Sequence, residues 1–149
     1  MRLLHTSDWH LGKRLFDKER YDVFEKFLAW LLSTIRQERV DTLIVAGDIF
    51  DTAVPTNKSL RLYYDFLSQL TSSECRHVVI VSGNHDSPTL LEAPKGILEN
   101  FGVHVIGGAE SPEDEVIELK DKAGNLEGVV CACLLYTYPS PRDAHESRM

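Results

Sequence analysis

Three short stretches of the chain combine side chains that commonly bind metal ions. They are "HTSDWHLG" with Asp8 and His10, "GDIFD" with Asp48 and Asp51, and "GNHD" with Asn84, His85 and Asp86. Carboxylate oxygens together with imidazole nitrogen and an amide oxygen suit manganese, iron or zinc. Asp48 is the best candidate to bridge two ions, because a carboxylate can donate one oxygen to each. Two such ions, about 3.5–4 Å apart, can activate a water and stabilise both oxygens of an in-line phosphoryl displacement.

Each of these stretches lies at the end of an apolar run that predicts a β-strand. Leu3 and Leu4 precede the first, and the other two close "DTLIVAGD" (41–48) and "HVVIVSGNHD" (77–86). The last two runs are rich in β-branched residues and suit strands buried on both faces, as in a parallel sheet. Gly47 and Gly83 fit tight turns at the strand ends.

The remaining elements predict an α/β domain. Apolar residues recur at helical spacing in 20–38, 57–70 and 89–101, the last interrupted by Pro94 and Gly96, and further strands are predicted at "VHVIGG" and in a hairpin of Val116–Leu119 with Val129–Cys131. Pro55 and Thr56 form a plausible helix start. Strands that alternate with helices favour right-handed crossovers. Ligands of open α/β sheets gather outside the carboxyl ends of the strands, so we expect the three stretches to meet at one edge.

Each stretch alone has an ordinary structural interpretation. Asp51 and Asp86 could be helix caps, and His85 could be a structural histidine. An Asp-x-His pair is usually a surface feature. The ordered set, with every member at a strand end, favours the metal site.

Composition limits the function. The 149 residues suffice for one domain, and the net charge of −7 argues against an autonomous DNA-coating protein. It does not exclude an enzyme that meets phosphate through bound metal ions. Cys75, Cys131 and Cys133 match no zinc spacing and are interpreted as reduced thiols. Neither a signal peptide nor a membrane span is predicted, so we expect a cytoplasmic protein without membrane contact.

The three stretches resemble the first three motifs of the calcineurin-like metallophosphoesterases. Within that superfamily, "HTSDWHLG", "VDTLIVAGDIFDTAVP" and "GNHDSPTLL" closely resemble the SbcD nuclease subunits of bacterial SbcCD complexes. The similarity extends from residue 1 to about residue 108. It implies an α/β fold, a layered β-sandwich flanked by helices, of which this chain would be the N-terminal half.

The resemblance implies a manganese-dependent nuclease that hydrolyses phosphodiester bonds in DNA repair and recombination. Asp8, His10 and Asp48 would hold the first of two divalent ions, and Asp48 and Asn84 would reach the second.

The resemblance also implies roles for the other residues of the motifs. His85 would stabilise or protonate the leaving oxygen, assisted by Asp51, and Asp86 would orient the ligands by hydrogen bonds. No residue is singled out for DNA contact.

The implied partners are DNA and an SMC-like ATPase, SbcC, which would supply much of the DNA-binding surface. The family also dimerises through helices, for which 57–70 and 89–101 are the candidates here.

The chain departs from the family pattern downstream. The pattern requires a single His and then a Gly-His-x-His, whereas His104 and His145 stand in other contexts, so both metal shells are expected to be incomplete. His104 is interpreted as an ordinary strand residue. Because the composition changes abruptly near Cys133, residues 1–133 are expected to be part of a nuclease domain, and 134–149 a non-native or disordered tail.

Two alternatives remain. One is another phosphoesterase of the superfamily, a phosphatase or phosphodiesterase. Thr52 and Ala53 replace the Arg-Gly of family phosphatases and Asp86 replaces their Glu, which disfavours this interpretation. The other is a catalytically inactive, truncated fragment.

Overall fold

The computed structural model describes residues 1–108 and 112–132. It divides into two compact units, residues 1–107 and the residues from 108 onward. The predicted tail at 134–149 and Cys133 lie outside the described residues. No helix in the described part of the chain has the length and apolar character needed to cross a bilayer.

The first unit alternates strands and helices, as the sequence predicts. Its elements are β1 (Leu3–Thr6), α1 (Tyr21–Gln37), β2 (Thr42–Ala46), α2 (Asn57–Thr71), β3 (His77–Val81), α3 (Pro88–Glu92), α4 (Lys95–Leu98) and β4 (Val103–Ile106). The four strands form a parallel sheet in the order β1-β2-β3-β4. In this register Leu43 lies beside Leu4 and Val78, and Val78 lies beside Val103. The α/β prediction is confirmed.

One hydrophobic core joins the apolar stripes of α1 and α2 to alternate residues of the strands. Its members include Leu28, Leu31, Leu32 and Ile35 of α1, Tyr63, Phe66, Leu67 and Leu70 of α2, and Leu43, Val45, Val78, Ile80, Val103 and Val105 of the sheet. Burying one such leucine or valine stabilises the fold by about 1.5–3 kcal/mol. The core therefore fixes the sheet rigidly beneath the loops that leave its carboxyl edge.

The predicted helices at 20–38 and 57–70 are confirmed to within a residue or two. Thr56 caps α2, since its side-chain oxygen accepts a hydrogen bond from Ser59 N at 3.1 Å. The helix predicted at 89–101, with its interruption at Pro94 and Gly96, is divided into shorter pieces. Pro94 cannot continue α3, because it has no N–H and its ring clashes with the preceding turn. The segment consists of α3, α4 and a 3₁₀ turn that ends at Gly102 with φ 73°.

The second unit contains the predicted hairpin. β5 (Val116–Lys120) pairs antiparallel with β6 (Leu126–Cys131), with Ile117 opposite Val130. In the connecting turn, Asp121 Oδ1 accepts hydrogen bonds from the backbone N–H groups of Ala123 and Asn125, each at 2.8 Å.

Candidate metal centre

The loops that follow β1 and β2 are joined by backbone hydrogen bonds. Asp8 N donates to Gly47 O at 3.1 Å, and His10 N donates to Asp48 O at 2.9 Å. These bonds continue the pairing of β1 with β2 beyond the ends of both strands. The first two predicted stretches are thereby held side by side.

Trp9 anchors the first stretch in the core. Its indole is 5% exposed and makes edge contacts with Phe27 of α1 and Phe66 of α2. Burial of such a large aromatic group stabilises this loop strongly. Asp8 and His10, on either side of Trp9, are exposed and half-buried respectively, which leaves both side chains accessible at the sheet edge.

Three candidate ligands lie in left-handed backbone conformations. The φ angles are 56° at Asp8, 46° at His10 and 51° at Asp48. Such a conformation costs a non-glycine residue about 1 kcal/mol or more, and it tends to persist at functional sites. The interloop hydrogen bonds hold these strained residues in place.

Gly83, at the end of β3, allows the third stretch to approach the second. A Cβ atom at this position would overlap the backbone N and the carboxylate of Asp48. Gly47 has a φ of 81°, which favours glycine. The two glycines predicted for tight turns are therefore required for different reasons. Gly47 allows a positive φ angle, and Gly83 leaves space for Asp48.

The structure brings five of the predicted site residues into two overlapping groups. The ligand atoms of Asp8, His10 and Asp48 all lie within 4.8 Å of one another, and so do those of His10, Asp51 and His85. His10 belongs to both groups, since its Nε2 is 3.7 Å from Asp48 Oδ2 and its Nδ1 is 3.4 Å from Asp51 Oδ1.

These residues fit a divalent cation. His10 Nδ1 is buried and has no hydrogen-bond partner, although Asp51 Oδ1 lies 3.4 Å away. An unsatisfied buried nitrogen is uncommon in proteins and calls for an explanation such as a bound ion. Oxygen and imidazole donors without a thiolate suit Mn²⁺, Fe²⁺ or Zn²⁺.

His85 is oriented by both neighbouring loops. Its backbone N donates to Asp48 Oδ1 at 3.0 Å, and its Nδ1 lies 2.9 Å from Asp51 O. A carbonyl can only accept, so Nδ1 carries a proton and Nε2 is left for chemistry. Lys13, which was not among the predicted site residues, places its Nζ 3.7 Å from Asp51 Oδ1. No local pattern distinguishes Lys13 from other surface lysines.

Asp86 is buried and fixes two loops at once. Its carboxylate accepts hydrogen bonds from Phe50 N at 2.8 Å, Gly83 N at 2.8 Å and Ile49 N at 3.1 Å. Burial raises the pKa of this carboxyl, and the three N–H donors oppose that shift. Asp86 therefore links the loops after β2 and β3.

Two other predicted residues have simpler surroundings. Asn84 is exposed on the loop after β3, next to His85. His104 lies in β4, where its ring stacks with that of His77 at 6.3 Å between centroids, and burial lowers its pKa. The structure places His104 in neither of the two groups. Its assignment to a strand is confirmed.

The chain is similar to known phosphoesterases. The sequence profile of the calcineurin-like phosphoesterase family matches residues 1–133. The chain is 40% identical to the SbcD component of nuclease SbcCD from Rhodobacter capsulatus over 139 residues, which cover 89% of this chain and 34% of the relative. The corresponding protein of Escherichia coli K12 is 42% identical over 109 residues (73% and 27%), and that of Bacillus subtilis is 38% identical over 130 residues (87% and 32%). The chain thus spans about a third of the length of these curated relatives.

Proposed function

The chain belongs to the calcineurin-like phosphoesterase family, and from this premise we propose that it contributes the first metal-binding motifs of a DNA nuclease of the SbcD type. The reaction is hydrolysis of phosphodiester bonds. The observation that carries this proposal is the meeting of Asp8, His10 and Asp48, whose ligand atoms all lie within 4.8 Å of one another. The relatives at 38–42% identity are named as nucleases, which supports DNA as the substrate.

We assign two divalent ions, Mn²⁺, to this site. Asp8, His10 and Asp48 hold the first, and Asp48 together with Asn84 reaches the second. When bound, such ions lower the pKa of a coordinated water and offset the charge that develops on phosphate. Asp48 would contribute to both ions, since its Oδ2 lies 3.7 Å from His10 Nε2 and its Oδ1 accepts the backbone N–H of His85, the neighbour of Asn84.

The proposed role of His85 is to stabilise or protonate the leaving oxygen. With Nδ1 donating to Asp51 O, only Nε2 is available to the substrate. Nε2 can deliver a proton only when both ring nitrogens are protonated. Asp51 assists by fixing the ring through its carbonyl, and Asp86 keeps the loops that bear Asp48 and His85 in register.

Three partners are proposed, of which the partner subunit is supported by the name of the relatives as one subunit of nuclease SbcCD. They are DNA, an SbcC-type ATPase and a second copy of the protein, with α2 or the α3–α4 segment as the dimer contact. The proposed setting is DNA repair and recombination in the cytoplasm. A net charge of −7 makes strong DNA binding by this chain alone unfavourable, which agrees with a cationic site and a separate DNA-binding partner.

The first test is metal-dependent stability. Mn²⁺ should raise the melting temperature, since an ion at about 100 times its dissociation constant adds about 2.7 kcal/mol to the stability. Asp48→Asn and His10→Ala should abolish the shift. Asp22→Asn, which changes a carboxylate that is 71% exposed on α1, is the matched control and should retain it. A melting curve that Mn²⁺ leaves unchanged would overturn the metal site.

The second test is substrate choice in Mn²⁺. Cleavage of DNA that Asp48→Asn abolishes supports the nuclease. Turnover of 4-nitrophenyl phosphate without DNA cleavage would instead identify a phosphatase. Metal-dependent stabilisation without either activity would leave a metal-binding but catalytically inactive chain.

A further inference from the structure

The loop between β1 and α1 contains a tight turn with an unusual residue at its tip. Leu15 N donates to Lys18 O at 3.1 Å, and Lys18 N donates to Leu15 O at 3.0 Å. The two central residues, Phe16 and Asp17, have φ angles of 48° and 60°. Two positive φ angles are typical of a type I′ turn, where Asn-Gly is strongly preferred. A bulky aromatic residue with positive φ is an outlier.

Phe16 is also the most exposed large apolar side chain of the described residues, at 90%. Its ring therefore gains almost nothing from packing within this chain. The second such side chain, Val54 at 87%, lies on the loop after β2, which also carries Asp51. Strained and exposed apolar residues on the loops that leave a candidate catalytic edge indicate a ligand-binding role.

Lys13, two residues before the turn, contacts residues of the metal centre. Lys13 N donates to His10 O at 3.0 Å, and Lys13 Nζ lies 3.7 Å from Asp51 Oδ1. Phe16 is three residues further on, so its Cα lies at most about 11 Å from that of Lys13. At about 3.4 Å per nucleotide along a strand, this distance corresponds to about three nucleotides.

The charge of the loop suits a nucleic acid. Its residues 13–20 are all exposed and carry four basic and two acidic side chains, a net charge of +2 in a chain whose total is −7. The basic side chains are Lys13, Arg14, Lys18 and Arg20. Positive side chains contact phosphates, and an exposed aromatic ring between them can stack on a base.

We propose that Phe16 stacks on an unpaired nucleobase of the DNA strand whose phosphodiester occupies the metal centre, while Lys18 contacts a neighbouring phosphate. This inference rests on the proposed nuclease function and adds a positioning residue to it. Phe16 sets which nucleotide of a single-stranded segment lies at the site. Because every base presents a π-face, this contact selects unpaired strands and not a sequence.

The test compares two oligonucleotides of about 12 residues, within the site size of single-strand binders. One has thymine bases and the other has abasic sugars with the same phosphates. Binding to the 149-residue chain in Mn²⁺ is measured by fluorescence anisotropy. Wild type should prefer the thymine strand by about fivefold or more. Phe16→Ala should lose this preference and leave abasic binding unchanged.

Four further variants separate stacking from folding and charge. Phe16→Asn suits the positive φ and should behave like Phe16→Ala, whereas Phe16→Tyr should retain the preference. Trp30→Ala removes another exposed aromatic ring, 61% exposed on α1, and should retain it as well. Lys18→Gln should weaken binding of both strands equally and lower the salt dependence by about 0.7 in log–log slope.

The inference is overturned if Phe16→Ala keeps the preference for bases, if Phe16→Tyr loses it, or if Trp30→Ala loses it equally. A wild type that binds neither strand also overturns it. If Mn²⁺ still raises the melting temperature of that wild type, the proposed metal centre stands although the stacking role of Phe16 is refuted. Binding of Phe16 to a protein surface instead would appear as equal affinities of wild type and Phe16→Ala for both strands.

Discussion

The carboxylate of Asp86 joins the loops after β2 and β3, so Asp86→Asn should destabilise the fold and disturb the proposed metal centre. Oδ1 accepts from Phe50 N, and Oδ2 accepts from Ile49 N and Gly83 N. An asparagine offers one oxygen in place of two. The one oxygen can accept from the N–H of Phe50 or from those of Ile49 and Gly83, but not from all three. The amide NH₂ of the asparagine then faces the N–H donors that are left without an acceptor.

The magnitude follows from these bonds. A hydrogen bond to a charged group contributes about 1.5–3 kcal/mol, and an orphaned buried donor costs about 1–3 kcal/mol. Burial raises the pKa of Asp86, so desolvation of the carboxylate offsets part of this gain. We therefore expect the lower end, a loss of about 1.5 kcal/mol in the free energy of unfolding. Asp86→Ala orphans three donors and should lose about 3 kcal/mol.

Urea unfolding at pH 7 without metal measures this loss. A Mn²⁺ titration of the melting temperature then tests the coupling to the metal centre, which should require more Mn²⁺ in the variant. Asp22→Asn is the control, since exposed substitutions usually stay within about 0.5 kcal/mol. If Asp86→Asn changes stability no more than this control, the hydrogen-bond argument is refuted.

Three further predictions concern single residues. Gly83→Ala places a Cβ against Asp48, so it should weaken Mn²⁺ binding by about tenfold or more. The same Mn²⁺ titration of the melting temperature measures this loss, and an unchanged titration would contradict the steric argument. The backbone N–H of Arg2 lowers the pKa of Asp41, so Asp41→Asn should reduce the free energy of unfolding at pH 7 by about 1 kcal/mol at most. This difference between wild type and variant should disappear as the pH falls through the lowered pKa of Asp41. Urea unfolding curves at several pH values would refute the prediction if the difference persisted in acid. Burial raises the pKa of Cys75 to about 11, so peptide mapping after iodoacetamide treatment of the native chain at pH 8 should find it unmodified, and rapid labelling would be the contrary result.

The sequence by itself determined the elements and the edge of the sheet at which the candidate ligands lie. Apolar runs rich in β-branched residues identify β2 and β3, and apolar spacings of three and four residues identify α1 and α2. Both patterns are local. Thr56, which caps a helix, and the glycines after the strands affect the backbone only within a few residues of themselves, so they can be recognised from the sequence. The break at Pro94 is also local, because the missing N–H of proline acts on the adjacent helical turn, and the sequence indicated it.

Only the tertiary structure decided how the three stretches meet. The carboxylate of Asp86 reaches Phe50, 36 positions away, and His10 lies in both ligand groups. The proximity of Lys13 to Asp51 is likewise a contact between loops that are distant in the sequence. Such contacts depend on the register of the strands. They also depend on the hydrogen bonds between loops that hold Asp8, His10 and Asp48 in left-handed backbone conformations. Hydrophobic periodicity locates an element and its buried face, but it carries no information about which atoms of distant loops face each other across the sheet edge.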